Sequence, residues 1–174
     1  MAEIARLTAA EARAEIDALV ALLADVVDHG SSVGFLRPMD TAIANDYWEE
    51  VLAAVAKGSR ILLVARLDGP GSPVVGSAQL DLAGRPNGVH RAEVQKVIVL
   101  ARYRRRGIAR ALMQAIEREA RHAKRTLLVL DTEVGAGAEP FYESLEWRRV
   151  GSIPDFALNS DGVPTANTIY YKPI

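Results

Sequence analysis

The chain contains no cysteine. Disulfides, thiolate metal sites and a cysteine nucleophile are therefore excluded, while the redox compartment stays open. Net charge is nearly absent as well: 21 lysines and arginines against 22 aspartates and glutamates give −1. That balance argues against a general nucleic-acid binder. No apolar run approaches the ~20 residues of a membrane span. His29, His90 and His122 show no ligand spacing, so no metal site is expected. The first six residues lack the basic-then-apolar order of a signal peptide, which makes a cytoplasmic location the expectation. There is no internal repeat and no long linker. What remains is 49% hydrophobic and 25% charged over 174 residues. This is the composition of one globular domain, residues 1–174, large enough to bury a core.

Periodicity divides the chain into elements. Thr8-Ala9-Ala10-Glu11 reads as a capping box opening a helix, with Ile16, Leu19, Val20, Leu23 and Val27 on one face. Asp28 to Gly34 ends it as a loop. A second helix starts near Asp40, carries Ile43, Tyr47, Val51 and Val55 as its stripe, and stops at Lys57-Gly58. Strands follow over 61–65, 74–82 and 90–100, with a turn at Gly69-Pro70-Gly71 and a loop at 83–88. Ile108, Ala111, Leu112, Ala115 and Ile116 mark another helix. Leu127-Leu128-Val129-Leu130 reads as a strand buried on both faces. A short helix over 139–145 and strands over 147–152 and 167–171 complete the order ααβββαβαββ. Early hairpin strands and one strand–helix–strand crossover predict an α/β fold: a mixed central sheet flanked by helices.

The densest chemical signal is the run Val97-Ile98-Val99-Leu100-Ala101-Arg102-Tyr103-Arg104-Arg105-Arg106-Gly107-Ile108-Ala109-Arg110. It is an apolar strand, a basic loop and a helix opened by Gly107. The first turn of a helix has backbone N–H groups without internal acceptors and the positive end of the dipole. Arg104, Arg105 and Arg106 add charge, and Gly107 lets the backbone approach closely. Such a constellation holds a pyrophosphate. A solvated basic loop is the plainer alternative, and the flanking strand and amphipathic helix weigh against it.

These residues resemble the acyl-CoA signature of the GNAT N-acetyltransferases, in which Gln or Arg is followed by two residues, Gly, one residue, and Gly or Ala. Here that pattern is Arg104, Arg105-Arg106, Gly107, Ile108, Ala109. The predicted order of elements is similar to the GNAT fold. Phe141-Tyr142-Glu143-Ser144-Leu145-Glu146-Trp147 resembles the family's F-Y-x-x-L-G-F segment, with Glu146 where glycine is usual. Ala101 stands where proline is frequent, and Gly135 where an asparagine commonly contacts pantetheine. More narrowly, residues 90–96, 128–132 and 153–158 resemble bacterial acetyltransferases of the tabtoxin-resistance type. Those relatives acetylate a toxic β-lactam amino acid; the subfamily carries over, the substrate does not.

The resemblance implies acetyl-CoA as cofactor and transfer of an acetyl group to the amine of a small molecule, amino-acid-like or of antibiotic or toxin type. It implies a pantetheine arm lying against Val97, Ile98 and Val99 as an added strand, and a pyrophosphate held by Arg104 through Arg110. Glu93 lies six residues before Val99, ~20 Å along a strand, within pantetheine's reach of the loop. It is the first candidate for the base that takes the amine's proton. The alternative for Glu93 is a solvent-facing residue paired with Lys96 or Arg91. Asp131 is the second candidate base, or simply a strand-end residue. Tyr142 matches the family's general-acid position; its alternative is a structural tyrosine. His90, Phe35, Arg37, Tyr47, Trp48, Gln79, Asp81 and Asn87 are weaker candidates for the acceptor pocket. A protein or peptide N-acetyltransferase and a non-enzymatic acyl-CoA-binding module are the competing functions. An open groove would favour the former, and the trio Glu93, Asp131 and Tyr142 speaks against the latter. Many proteins of this fold dimerise, and a homodimer stays open here.

Overall fold

Strand pairing organises the molecule into one seven-stranded sheet in the order β1-β2-β3-β4-β5-β7-β6. The strands are β1 (Glu3–Leu7), β2 (Arg60–Arg66), β3 (Val74–Leu82), β4 (Arg91–Val99), β5 (Leu127–Glu133), β6 (Arg148–Leu158) and β7 (Pro164–Pro173). The helices are α1 (Ala9–Ala14), α2 (Ile16–Asp28), α3 (Thr41–Ala56), α4 (Ile108–His122) and α5 (Glu139–Glu143). This computed structural model describes every residue except Met1, Asp68 and Pro70. Pro70 of the predicted turn thus lies outside the described residues. All pairings are antiparallel except β4 with β5, the mixed sheet the element order implied. No helix among the described residues is long and apolar enough to cross a membrane.

Each face of the sheet buries its own core. On one face Leu63, Ala78, Leu80, Ala92, Val94, Leu128 and Leu130 pack against Leu112, Met113 and Ile116 of α4. On the other, Leu62, Val64, Val74 and Ile98 meet Leu19, Leu22 and Leu23 of α2 and Trp48 and Val51 of α3. Alternation along each strand sends side chains to the two layers in turn.

Several expected elements take a different form. The predicted first helix is two: the Thr8–Glu11 capping box is present, but the chain breaks at Glu15 (φ −103°, ψ 11°) before α2 begins. Glu15 uses that break to accept from Arg66 Nη2 at 2.5 Å. β1 escapes the sequence reading because its five residues include only one buried side chain, Leu7. Ile43 is exposed, and the buried stripe of α3 is Ala44, Trp48, Val51 and Leu52. β6 and β7 run well beyond the predicted limits, since much of β6 is exposed and lacks an apolar pattern. β5 is not buried on both faces: Leu128 and Leu130 are covered by α4, while Val129 is half-buried and Asp131 exposed.

Gly76 of β3 marks the tightest approach in the sheet. A Cβ there would lie 2.8 Å from the Ile98 carbonyl oxygen and 3.3 Å from Val99. Both obstacles belong to a central strand, so Gly76→Ala should destabilise the fold by ~1–3 kcal/mol through overpacking. A urea denaturation midpoint equal to that of the wild type would disprove the close contact.

Candidate active site

The site forms where β4 and β5 part. The parallel pair runs Arg91↔Leu127, Ala92↔Leu128, Glu93↔Val129 and then stops, although β4 continues to Val99 and β5 to Glu133. From Val94 onward the edge of β4 that faces β5 has no strand beside it. Val97, Ile98 and Val99 lie along this open edge. Ile98 is rooted in the core beneath α2 and α3, Val99 in the core beneath α4. The backbone groups of that edge, rather than these side chains, are what a ligand can meet.

A β-bulge sits within the parted stretch. Between the pairs Ser77↔Ile98 and Gln79↔Gln95, β3 advances two residues and β4 advances three. Lys96 takes up the extra residue with φ 49°. The bulge turns the ammonium of Lys96 toward the α2–α3 loop, 5.9 Å from the centre of the Phe35 ring and 5.6 Å from that of Tyr47.

Beyond β4 stand the loop and helix predicted to cradle phosphates. Gly107 caps α4 with φ 78°, and the space its missing Cβ would occupy is open. Arg105 is also left-handed, at φ 62°. The first amide bonded within the helix is that of Ala111, to the Gly107 carbonyl. The N–H groups of Arg105, Arg106, Gly107, Ile108, Ala109 and Arg110 have no acceptor among the described residues. Successive unspent amides at a helix start form an anion nest.

The side chains of the loop are more constrained than the sequence implied. Arg104 donates to the Ser31 hydroxyl at 3.0 Å and to the Val99 carbonyl at 3.3 Å, which fixes the loop to the end of β4. Arg102 and Arg106 stack over Tyr103, at 4.9 and 5.3 Å from the ring centre. Arg110 donates to the Ser144 hydroxyl at 2.9 Å. Ile108 buries its side chain under the sheet, so only its amide faces the nest. Arg105 is exposed, and its side chain has no partner among the described residues. Asp25 of α2 was missed by the sequence reading. Its carboxylate accepts from the Ala101 amide at 2.7 Å, where a proline would have carried no N–H.

Glu93 and Asp131 project from the same face of the sheet. Glu93 is level with Val129, and Asp131 follows two residues on, about 6–7 Å further along the strand. Each carboxylate is oriented by one neighbour: Gln95 Nε2 donates to Glu93 at 2.9 Å, and Asn167 Nδ2 to Asp131 at 2.6 Å. Glu93 forms no ion pair with Lys96 or Arg91, and both carboxylates are exposed. Asn167 on β7 carried no sequence signal, since only the β5–β7 pairing brings it to Glu133, two residues from Asp131.

Tyr142 reaches the opening from the α4 side. It is buried and packs on Phe141, Trp147 and Tyr170, yet its hydroxyl makes no hydrogen bond to the described residues. Burial, assisted by the Asp131 charge, pushes its pKa up to about 12. The turn after α5 returns through Glu146 at φ 64°, a backbone conformation that explains why glycine is usual at that position.

Of the weaker candidates, Phe35, Tyr47 and Gln79 converge. Gln79, fully buried, donates to the Tyr47 hydroxyl at 2.8 Å and accepts from Arg60 at 3.2 Å. Burial pushes the Tyr47 phenol up to about 12. Arg60 also pairs with Asp81 at 3.1 Å. Trp48 is excluded from the pocket, being fully buried between helices and sheet. Arg37 instead closes the rim: its amide donates to the Ser160 carbonyl at 2.9 Å and its Nε to Asp161 at 2.5 Å. The α2–α3 loop is thereby joined to the β6–β7 turn. His90 and Asn87 are exposed ahead of β4. Among the described residues no group of three or more histidine and acidic side chains could hold a metal ion.

Comparison with known proteins gives this arrangement its class. The sequence matches the acetyltransferase (GNAT) family over residues 22–147, and the chain belongs to that family of acetyl-CoA-dependent acetyltransferases. An uncharacterized N-acetyltransferase from the hisH–hisA intergenic region of Azospirillum brasilense is 36% identical over 118 residues, 67% of each chain. Among solved structures, the ribosomal-protein-alanine N-acetyltransferase of Brucella melitensis superposes with a TM-score of 0.79 at 23% identity, covering 99% of both chains. The protein yncA of Salmonella typhimurium, solved with its cofactor acetyl-CoA, gives 0.77 at 18% identity, over 99% of this chain and 94% of that one. The fold is the GNAT fold, as the element order implied.

The tyrosines offer a direct check of the site's burial. Both Tyr47 and Tyr142 move from an ordinary 10 to about 12, so the native state holds protons that the unfolded chain releases first. Their contribution to stability is complete below pH 10 and is lost as the pH rises toward 12. Spectrophotometric titration should show two late-ionising phenols at these positions, and Tyr142→Phe should remove one of them. A variant with the wild-type titration curve would show that Tyr142 is not the shielded group.

Proposed function

We propose that the protein transfers an acetyl group from acetyl-CoA to the amine of a small molecule by direct attack. The observation that carries this reading is the run of six unspent amides, Arg105 to Arg110, beside a strand edge left open from Val94. The amides and the exposed guanidinium of Arg105 suit a pyrophosphate, and the backbone of Val97–Val99 suits an extended pantetheine amide chain. These residues suit coenzyme A, because the amides are unspent and the space beside Gly107 is open. Bound acetyl-CoA supplies an activated acetyl thioester.

The protein's own groups do the rest. Glu93 or Asp131 takes the proton from the acceptor nitrogen, because an ammonium has no lone pair to attack with. Gln95 and Asn167 hold those carboxylates in place. The Tyr142 hydroxyl gives its proton to the departing sulfur. Its raised pKa keeps that proton on the phenol at any working pH. No covalent enzyme intermediate is needed. The Arg37 bridge to Ser160 and Asp161 supports a small acceptor over a peptide in an open groove. The finer resemblance to the tabtoxin-resistance type belongs to this same reading and rests on residues 90–96, 128–132 and 153–158.

Two substitutions test the halves separately. Gly107→Glu fills the open space at the helix start and sets a carboxylate against the phosphates. Calorimetry should show weakened acetyl-CoA binding in a folded protein, and unchanged affinity would remove the phosphate-nest assignment. Tyr142→Phe should bind acetyl-CoA almost as the wild type does while turnover falls ~10²–10⁴-fold. Equal single-turnover rates would leave Tyr142 a packing residue.

A further inference from the structure

Lys96 has no role in the chemistry above, and its setting calls for one. Its ammonium lies beside the edge-to-face pair of Phe35 and Tyr47, 5.9 and 5.6 Å from their ring centres, and 3.6 Å from where a Cβ on Gly34 would sit. Among the described residues it forms no hydrogen bond and no ion pair. Burial lowers its pKa, while the charges of Asp131 and Glu93 act from a distance in the opposite sense and Arg60 adds to the lowering. A side chain this long and flexible pairs readily with a carboxylate when one is within reach. Here both nearby carboxylates are turned elsewhere, Glu93 to Gln95 and Asp131 to Asn167. The bulge in β4 sets Lys96 apart from Glu93 while keeping both on the face beneath the α2–α3 loop.

The face therefore presents two kinds of unfilled charge, acidic at Glu93 and Asp131, basic at Lys96. A simple amine or polyamine would satisfy the first and be repelled by the second. A peptide N-terminus brings no acid adjacent to its amine. A compact molecule with an amine and a carboxylate a few bonds apart satisfies both. We infer that Lys96 is the specificity-determining residue of the acceptor site, receiving the carboxylate of an amino-acid acceptor whose amine faces Glu93 and Asp131. The ring faces of Phe35 and Tyr47 hold the ammonium in place when no acceptor is present. The buried Arg60–Gln79–Tyr47 chain of hydrogen bonds fixes the Tyr47 ring.

This inference rests on acetyl transfer to small amines, and its test separates the two. Wild type, Lys96→Met and Lys96→Arg are assayed for coenzyme A release on proteinogenic amino acids and on their carboxamides, which keep the amine and lose the charge. The wild type should favour the acids, through KM, by roughly 10–100-fold, the loss of one charge-assisted hydrogen bond. Lys96→Met should abolish that preference, its loss on the acids exceeding any loss on the carboxamides; Lys96→Arg should retain part of it. Equal use of acids and carboxamides by the wild type overturns the assignment, as does a Lys96→Met variant that slows both alike. A second measurement is independent of turnover. The three proteins, saturated with coenzyme A, are melted with N-acetyl amino acids and with N-acetyl amino-acid amides. Stabilisation by the acids alone, lost in Lys96→Met, supports Lys96 even if no free amine is acetylated, an outcome that would defeat the proposed activity only. Absence of any difference between acids and amides in this assay overturns the role of Lys96. Should Lys96→Met fail to fold, Lys96→Gln takes its place.

Discussion

The site depends on a hydrogen-bonding debt that the sheet leaves open. Parallel strands bond along their length, and backbone polar groups are rarely left without partners. β4 and β5 instead bond over three residue pairs and separate. β5 is retained by β7, to which it is paired from Leu127 to Glu133, and β4 by β3, so neither strand needs the other to stay in the sheet. The gap is thus stable, and it puts unpaired backbone at the centre of the molecule instead of at its rim. Everything with chemical potential is gathered at this opening. The α4 N-terminus is at one end, two carboxylates lie on one face, and a phenol reaches it from the other.

The two cores divide the labour around that opening. The α4-side core anchors Tyr142 through Trp147 and Tyr170 and carries the helix whose first turn forms the nest. The core beneath α2 and α3 supports the aromatic pair beside Lys96. Each layer therefore supports a different part of the candidate site, and the two meet where β4 and β5 part.

Much of this was legible in the sequence because it is encoded locally. Gly107 after a basic run and before an amphipathic helix specifies a nest with no help from tertiary structure, and the Thr8 capping box specifies a helix start in the same way. Glu93 and Asp131 could be placed on strands by the apolar runs that contain or precede them, while their common face emerges only from the β4–β5 register. What could not be read was non-local. The bulge at Lys96 exists only against β3. Asn167 reaches Asp131 only through the β5–β7 pairing, and the diversion of Arg104 to Ser31 depends on where the α2–α3 loop lies. β1 was hidden because its five residues, Glu3 to Leu7, are too few to set up a period and become a strand only by pairing with β2. Leu127 to Leu130 misled because an apolar run says nothing about whether both faces are covered. Trp48 was an aromatic near the right loop, pointing into the core.

The contact between Asp25 and Ala101 carries a consequence for inheritance. Proline at position 101 would need nothing from α2, since it has no N–H to satisfy. Alanine there has a donor, and the carboxylate of Asp25 receives it at 2.7 Å. Replacing Ala101 with proline leaves that carboxylate facing a ring, and replacing Asp25 with alanine leaves the amide at the mouth of the loop without its acceptor. Residues 76 positions apart are thereby coupled: what a change at one of them costs depends on which residue stands at the other.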